Sequence, residues 1–357
     1  MKLVYFFGNG SADGSSHKKD LLGGKGANLA EMTNLDISVP PGFTITTDVC
    51  RYFMDNHQLP LELKQEVMNS INKIEEIMMK KFGDNHNPLL VSIRSGAMVS
   101  MPGMMETVLN VGLTKITVEG LAQSSGNPRF AYDSYRRLIM MYADVVMEKS
   151  NNILDSDTKI RHKLEECMDS LKKSKNYKKD TDLDENDLMN LCNQFKKIIK
   201  DTFGEEFPDN AETQLWNTIK AVFLSWNGDR AKSYRKIEKI SDRMGTAVNV
   251  QSMVFGNMGT GSATGVAFTR NPSTGENIFY GEWLENAQGE DVVAGIRTPN
   301  PLNDESKSIQ SEKLVSLESK YPELYNQLYE IKNNLEIHYK DMQDIEFTIE
   351  GKQLWML

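Results

Sequence analysis

A lone lysine and a lone arginine stand in two glycine-rich stretches that carry little other charge. Lys25 lies within Leu21 to Met32, LLGGKGANLAEM, and Arg94 lies within Leu89 to Gly112, LLVSIRSGAMVSMPGMMETVLNVG. Glycine lets a backbone approach a ligand closely, and exposed amides beside a cation bind phosphate oxygens. The two stretches together therefore indicate a polyphosphate site.

Each stretch also has a simpler interpretation. Neither matches a Walker loop, because no glycine precedes a Gly-Lys-Ser/Thr at the required spacing. Gly23 to Gly26 equally fits a turn that leads into a helix over Ala27 to Met32. The apolar residues Leu89 to Ile93 predict a buried strand that ends at Arg94, with a loop after it. A guanidinium there can hold two phosphate oxygens, or it can pair with a structural carboxylate.

Two acidic residues near the end of the sequence share one face of a predicted strand. Apolar and polar residues alternate from Asp344 to Glu350, so Asp344 and Glu346 are neighbours on the polar face. Their backbones lie roughly 6 to 7 Å apart, a distance that two side chains can close around a hard cation such as Mg²⁺. The same pattern also suits the solvent-facing side of an amphipathic strand.

Composition indicates a soluble globular chain of two or three packed units. The 357 residues include 39% hydrophobic and 25% charged residues, and the net charge is −9. This charge disfavours nucleic acid and anionic membranes as partners, and no apolar run approaches a membrane span. The three cysteines have no paired spacing, which favours a reducing compartment, cytoplasmic or organellar.

Periodicity divides the chain into three predicted subdomains. An N-terminal α/β subdomain spans residues 1–113, with residues 201–245 packing back on it through a helix from Leu215 to Trp226. An all-helical insert spans residues 114–200, and a C-terminal subdomain spans residues 246–357.

Two local features refine this division. A helix is predicted over Leu61 to Phe82, ended by Gly83. Strands around Val250 and over TGVAFT are predicted to form a hairpin across the glycine-rich turn Gly256 to Gly261. That turn is either a plain hairpin loop or a lid over phosphates.

Seven segments, in this order along almost the whole chain, resemble the pyruvate phosphate dikinase family. Residues 151–188 and 301–335 are among the stretches without such a segment. The segments are GGKGANLAEM, RSGAxxSMPGMMET, NPRFAYDSYRR (Asn127 to Arg137), GTAVNVQSMVFGN (Gly245 to Asn257), TGVAFTRNPSTGE (Thr264 to Glu276), NAQGEDVVAGIRTP (Asn286 to Pro299) and DMQDIEFTIE (Asp341 to Glu350).

The resemblance implies an α/β (α+β) chain with an ATP-grasp-like nucleotide-binding fold and the all-helical insert. Lys25 and Arg94 would hold the polyphosphate of ATP. Gly103 and Thr107 would line the phosphate loop, and Gln251 would lie near the adenine edge. ATP is then a substrate of the protein.

The resemblance also implies a metal and a reaction. Asp344 and Glu346 would bind Mg²⁺, and Lys25, Arg94 and Glu346 would be catalytic. The family converts ATP, inorganic phosphate and pyruvate to AMP, diphosphate and phosphoenolpyruvate. This part would transfer the β-phosphoryl group of ATP to a histidine and the terminal phosphoryl group to phosphate.

The histidine is expected on a partner domain of the same full-length protein. That phosphohistidine domain and the pyruvate/PEP-binding domain are absent from this sequence, and the full-length enzyme is expected to be a homodimer. Surface positions are expected for all five histidines of the chain, none of which has the context of a phosphoryl carrier: His17, His57, His86, His162 and His338.

Two departures from the family pattern are expected to affect the site. Met98 and Val99 stand where the family reads Arg-Ala. Beyond Leu357 the family continues with Gln-Thr-Arg, which normally completes the phosphate and metal site, so weakened ATP binding is expected for this fragment.

Two other functions remain open. A sibling dikinase, such as phosphoenolpyruvate synthase or a glucan dikinase, would transfer the terminal phosphate to water. The segment from Ser100 to Thr107 favours the phosphate-using enzyme, because these relatives usually lack it. A non-catalytic nucleotide-binding fragment is the second alternative.

Overall fold

The chain forms two compact units, each built on an antiparallel sheet with helices. The first unit comprises Met1–Asn34 and Pro41–Met253, and the second comprises Leu35–Pro40 and Val254–Leu357. This architecture confirms the mixed α/β class. The computed structural model describes residues 2–148, 159–293, 297–307 and 311–357.

The first unit combines short strands with longer helices. Its strands are β1 (Val4–Gly8), β2 (Ser11–Ala12), β3 (Gly42–Ile45), β4 (Lys81–Phe82), β5 (Pro88–Leu89), β6 (Val91–Gly96), β7 (Thr107–Val111) and β8 (Ala247–Ser252). Its helices are α1 (Lys19–Asn34), α2 (Thr47–Asn56), α3 (Leu63–Met78), α4 (Thr117–Ser125), α5 (Pro128–Tyr142), α6 (Ile160–Ser174), α7 (Glu185–Phe203), α8 (Ala211–Ser225) and α9 (Asp229–Ile237).

Six of these strands form the main sheet of the first unit, in the order β2-β1-β3-β8-β6-β7. All neighbouring pairs are antiparallel. Phe43, Val250 and Ile93 lie in register across β3, β8 and β6 and are fully buried, so one face of the sheet is apolar at its centre. Helix α8 contacts β6, β7 and β8, as the predicted helix from Leu215 to Trp226 requires.

Helix α3 ends at a left-handed residue that is not a glycine. The predicted helix over Leu61 to Phe82 is observed as α3, but it ends earlier than expected. Met79 adopts a left-handed conformation (φ 53°) and donates its N–H to the Glu75 carbonyl. The prediction that Gly83 ends this helix is therefore wrong, because Met79 already accommodates the left-handed residue that such an end requires.

Every regular element that the structure describes between Thr114 and Lys200 is helical, with turns between the helices. Asn127 caps α5 by accepting from the Phe130 N–H, with Pro128 in the first turn. A π-helical turn (Ala143–Glu148) follows α5. Helix α7 starts at a capping box formed by Asp184 and Asp187. Part of the predicted insert, residues 149–158, lies outside the described residues.

The second unit is built on one five-stranded sheet in the order β11-β10-β9-β12-β13, all antiparallel. Its core includes Trp283 and Phe347 from the sheet and Leu328 from α12. Its elements are β9 (Ala263–Phe268), β10 (Tyr280–Glu285), α10 (Gly289–Val293), β11 (Asn300–Pro301), α11 (Leu317–Lys320), α12 (Pro322–Tyr339), β12 (Asp344–Glu350) and β13 (Gln353–Met356).

The predicted hairpin across Gly256 to Gly261 is wrong. Strand β8 pairs with β3 and β6 in the first unit, whereas β9 pairs with β10 and β12 in the second. Alternation along the sequence indicates a strand but not its partner, so it does not show that these two strands belong to different sheets. Residues 246–253 consequently belong to the first unit, while the division into three subdomains stays a prediction.

Among the helices that the structure describes, none combines the length and apolar character needed to cross a membrane.

Candidate functional site

A polar row crosses four adjacent strands of the first unit. Thr44 on β3 pairs with Asn249 on β8, Asn249 pairs with Arg94 on β6, and Arg94 pairs with Thr107 on β7. Residues directly opposite one another in a sheet point to the same face, so these four side chains share one face. Thr44 and Asn249 are 1% exposed, whereas Arg94 and Thr107 are half-buried. The row thus runs from the core towards solvent.

Arg94 is held by Gln251, its diagonal neighbour on β8. The Arg94 guanidinium donates from Nη2 to Gln251 Oε1 at 2.5 Å, and Gln251 is 1% exposed. The prediction that the strand ends at Arg94 is wrong, because β6 continues to Gly96, which pairs with Ala247. Pairing with β8 extends the strand and fixes Arg94 in its interior, where a buried amide orients the guanidinium.

A break in α1 places Lys25 in the first turn of a new helical segment. Gly23 alone departs from helical geometry (φ 68°, ψ 173°), so the helix restarts at Gly24. A Cβ at position 23 would lie 1.8 Å from the Gly96 carbonyl oxygen, which only glycine avoids. The helix predicted over Ala27 to Met32 therefore begins earlier, and Gly23 serves a close contact with β6.

Backbone contacts bring the Lys25 and Arg94 segments together. Besides the contact between Gly23 and Gly96, the Gly24 N–H donates to the Ala97 carbonyl at 2.9 Å. Lys25 follows immediately and is exposed, and Arg94 lies two residues before Gly96 along β6. Two cationic side chains are thus presented by adjoining segments at the start of a helix, an arrangement that suits phosphate oxygens.

The loop from Ala97 to Glu106 connects β6 to β7 beside this pair of segments. Gly103 in this loop has φ 69° and no neighbour that would meet a Cβ, so the turn itself requires glycine. Thr107 begins β7 directly opposite Arg94. Met98 and Val99, where a departure from the family pattern is expected, are 44% and 42% exposed.

In the second unit, Asp344 and Glu346 lie where strand alternation predicts them. Both are exposed on β12, while Ile345, Phe347 and Ile349 are buried. Partial burial and the charge of Glu346 raise the pKa of Asp344, and among the described residues no basic side chain counters these two effects. The two carboxylates are therefore close enough to repel each other.

This pair of carboxylates fits a divalent cation that also has ligands from outside the protein. Within the described part of the chain there is no group of three or more acidic, histidine or cysteine side chains arranged for a metal. Mg²⁺ usually binds one or two carboxylates and takes its remaining ligands from water and substrate phosphates. A cation between Asp344 and Glu346 would relieve their repulsion.

The glycine-rich loop from Gly256 to Gly261 is fixed at both ends within the second unit. The Gly256 carbonyl accepts from the Ala287 N–H at 2.9 Å, and the Gly261 carbonyl accepts from the Lys352 N–H at 3.1 Å. Gly259 between them has φ 137° and no neighbour near a Cβ position. A lid function for this loop stays a prediction.

Sequence reasoning missed Thr44 and Asn249. The available signal was the run VNVQS, where Asn249 and Gln251 alternate with valines on a predicted strand. Such alternation indicates one polar face, but Thr44 could be connected to it only through strand pairing. The five histidines are all exposed, as expected.

Comparison with known proteins gives a matching family and several similar proteins. A family described as pyruvate phosphate dikinase, AMP/ATP-binding domain, matches residues 19–76 and 56–319. The chain is 49% identical over 357 residues to pyruvate, phosphate dikinase of Rhizobium meliloti, covering 100% of this chain and 39% of that protein.

Two further relatives agree. Pyruvate, phosphate dikinase of Clostridium symbiosum is 49% identical over 358 residues, which is 100% of this chain and 38% of the relative. The Zea mays protein named pyruvate, phosphate dikinase 1, chloroplastic, is 49% identical over 357 residues, which is 100% of this chain and 35% of the relative.

The matched family is a class of AMP/ATP-binding domains. Two cationic side chains beside the start of a helix suit the phosphate groups of such a nucleotide. The chain belongs to the pyruvate phosphate dikinase family, as its sequence resemblance indicated. It spans between 35% and 39% of the length of these three relatives.

Proposed function

We propose that this chain is the ATP-binding part of a pyruvate, phosphate dikinase with an ATP-grasp-like fold. The observation that carries the proposal is the contact of Gly23 and Gly24 with Gly96 and Ala97, which joins the Lys25 segment to the Arg94 strand. Identity of 49% along the whole chain to enzymes of that name supports the same function.

In the first unit, Lys25 and Arg94 bind the phosphate oxygens of ATP. Phosphoryl transfer spreads negative charge over non-bridging oxygens, so fixed cations act by positioning and electrostatic stabilisation. Gly103 and Thr107 line the phosphate loop. Gln251, whose oxygen accepts from Arg94, lies near the adenine edge.

In the second unit, Asp344 and Glu346 bind Mg²⁺. The bound ion supplies positive charge to the phosphates of the nucleotide. The raised pKa of Asp344 supports this role, because the ionised pair is unfavourable until a cation joins it.

The reaction proposed for the full-length protein consumes ATP, inorganic phosphate and pyruvate. A histidine of another domain attacks the β-phosphorus of ATP and releases AMP, and inorganic phosphate then takes the terminal phosphoryl group to form diphosphate. The remaining phosphohistidine passes its phosphoryl group to pyruvate. The phosphohistidine domain is therefore the proposed protein partner, within an enzyme proposed to be a homodimer.

The test combines this chain with Mg²⁺, phosphate, a separately produced histidine domain and ATP labelled on its terminal phosphoryl group. AMP formation with label in diphosphate supports the proposal. Label in orthophosphate instead would identify a sibling dikinase, which transfers that group to water. ATP binding without AMP, in a mixture where the full-length protein does form AMP, would leave the nucleotide-binding fragment as the function of this chain.

Variants of the full-length enzyme test the catalytic residues separately. Arg94→Ala and Glu346→Ala are expected to abolish AMP formation while the protein stays folded, because each removes a charge that faces the substrate. Unchanged AMP formation in either variant would remove that residue from the catalytic set.

A further inference from the structure

Asn249 occupies the centre of the polar row, although it is 1% exposed and lies between valines. Its Oδ1 accepts from the Thr44 hydroxyl at 2.8 Å, and Thr44 is equally buried. Among the described residues, Asn249 Nδ2 has no hydrogen-bond partner. A buried amide with an unsatisfied nitrogen lowers stability relative to an apolar side chain of similar shape, so stability does not explain its presence.

The Asn249 amide touches both segments that present the cations. A Cβ at Gly26, the residue after Lys25, would lie 2.7 Å from Asn249 Oδ1 and 2.5 Å from Thr44 Oγ1. A Cβ at Gly96, at the end of the strand that carries Arg94, would lie 2.5 Å from Asn249 Nδ2. One side chain is therefore packed directly against the backbone of α1 and that of β6.

We propose that Asn249, oriented by Thr44, is a positioning residue that sets the spacing between the Lys25 segment and the Arg94 strand. It contacts Gly26 and Gly96 and acts on a triphosphate only through the cations that these segments carry. The inference rests on the proposed function. Small displacements of binding groups weaken ligand binding strongly. A rigid spacer between the two segments can therefore improve ligand affinity even though its unsatisfied amide lowers stability.

Binding of three probes to the 357-residue chain separates positioning from general damage. The probes are ATP with Mg²⁺, inorganic tripolyphosphate and adenosine, and the variants are Asn249→Ala, Thr44→Val and Thr44→Ser. For Asn249→Ala, the Kd of ATP and of tripolyphosphate is expected to rise about tenfold, with the Kd of adenosine unchanged. Thr44→Val is expected to act in the same direction, whereas Thr44→Ser keeps the hydroxyl and wild-type affinity.

Amide hydrogen exchange gives a readout that needs no ligand. The Gly24 N–H reports the seating of α1 on β6, because it donates to the Ala97 carbonyl. Its exchange is expected to accelerate in Asn249→Ala and Thr44→Val, while exchange at Val250 in the centre of the sheet stays slow.

Each contrary result has a defined meaning. Unchanged tripolyphosphate affinity in folded Asn249→Ala overturns the inference, as does an equal loss for all three probes. If Asn249→Ala does not fold, Thr44→Val decides the test. The inference is overturned if this variant has the tripolyphosphate affinity and the Gly24 exchange rate of the wild type. Failure of the wild-type chain to bind both ATP and tripolyphosphate refutes the proposed function instead, and Gly24 exchange then decides the spacer role alone.

Discussion

The cationic residues of the first unit and the acidic pair of the second are positioned in opposite ways. Lys25 and Arg94 are far apart in sequence, and their segments meet where Gly23 packs against Gly96 and the Gly24 N–H donates to the Ala97 carbonyl. Asp344 and Glu346 are two residues apart on one exposed strand, and strand geometry alone makes them neighbours.

This difference separates two kinds of sensitivity to mutation. A site assembled from distant segments is disturbed by changes that never touch its ligand, because packing sets its geometry. A site formed by neighbouring side chains on one strand is disturbed mainly by changes to those side chains. Substitutions that disturb backbone packing should therefore have strong effects on the site in the first unit. At the acidic pair, substitutions that remove a charge should have the largest effects.

The largest effect is expected from Gly23→Ala. The added Cβ would meet the Gly96 carbonyl at 1.8 Å and would require a left-handed alanine, so we expect the free energy of unfolding to fall by at least about 3 kcal/mol. Urea denaturation measures the loss. Gly24→Ala is the matched control, since its Cβ would stand 3.6 Å from the nearest atom, the Ala97 oxygen. Similar losses in both variants would contradict a specific contact at Gly23.

The next effect separates two exposed lysines of the same helix. Lys25→Ala should raise the Kd of ATP about tenfold to a hundredfold, which corresponds to the free energy of one hydrogen bond between a charged group and phosphate. The thermal unfolding midpoint should not change. Lys19→Ala is the control, because Lys19 is equally exposed but lies before the break at Gly23. Calorimetric titration measures both. Equal ATP affinity in the two variants would show that net charge, rather than position, determines binding.

The acidic pair is expected to reveal itself through pH. Mg²⁺ competes with protons, so the raised pKa of Asp344 should weaken Mg²⁺ binding at a higher pH than an ordinary aspartate would. Asp344→Asn should lower Mg²⁺ affinity on the order of tenfold at neutral pH and remove this pH dependence. Glu330→Gln, on exposed α12, should leave affinity unchanged.

Stability without Mg²⁺ checks the same carboxylate independently. A folded-state pKa above the unfolded value means that stability decreases as pH rises through that interval. Asp344→Asn should therefore be more stable than wild type at neutral pH in metal-free buffer, and the gain should disappear in acid. A loss of stability at neutral pH would indicate that Asp344 has a favourable partner and not a repelling one.

Local patterns predicted what depends on neighbours in sequence. The alternation around Glu346, helix α7 and the contact of α8 with the first sheet were all read from periodicity and are observed. The glycines around Lys25 correctly marked an unusual backbone. The sequence does not show why glycine is needed at these positions. Gly23 and Gly26 pack against β6, β3 and β8, whose pairing involves residues far away in the chain.

The main wrong prediction concerns strand pairing, and it bears on the candidate site. The predicted hairpin places β8 beside β9 and therefore does not place Gln251 beside Arg94. In the structure β8 pairs with β6, and the Arg94 and Gln251 side chains are hydrogen-bonded. A period of two defines faces but carries no information on which strand lies alongside. The Thr44 contact with Asn249 was missed for the same reason.

The smallest expected effect concerns Gln251 and sharpens the comparison within the first unit. Its oxygen accepts from Arg94, and Gln251 is proposed to lie near adenine, so Gln251→Ala should weaken tripolyphosphate and adenosine binding about threefold each. Tripolyphosphate tests the orientation of Arg94, and adenosine tests the position near adenine. A loss restricted to tripolyphosphate would limit Gln251 to orienting Arg94, because adenosine lacks the phosphates that Arg94 binds. A loss restricted to adenosine would instead show that Arg94 keeps its orientation through β6 and β8 pairing alone.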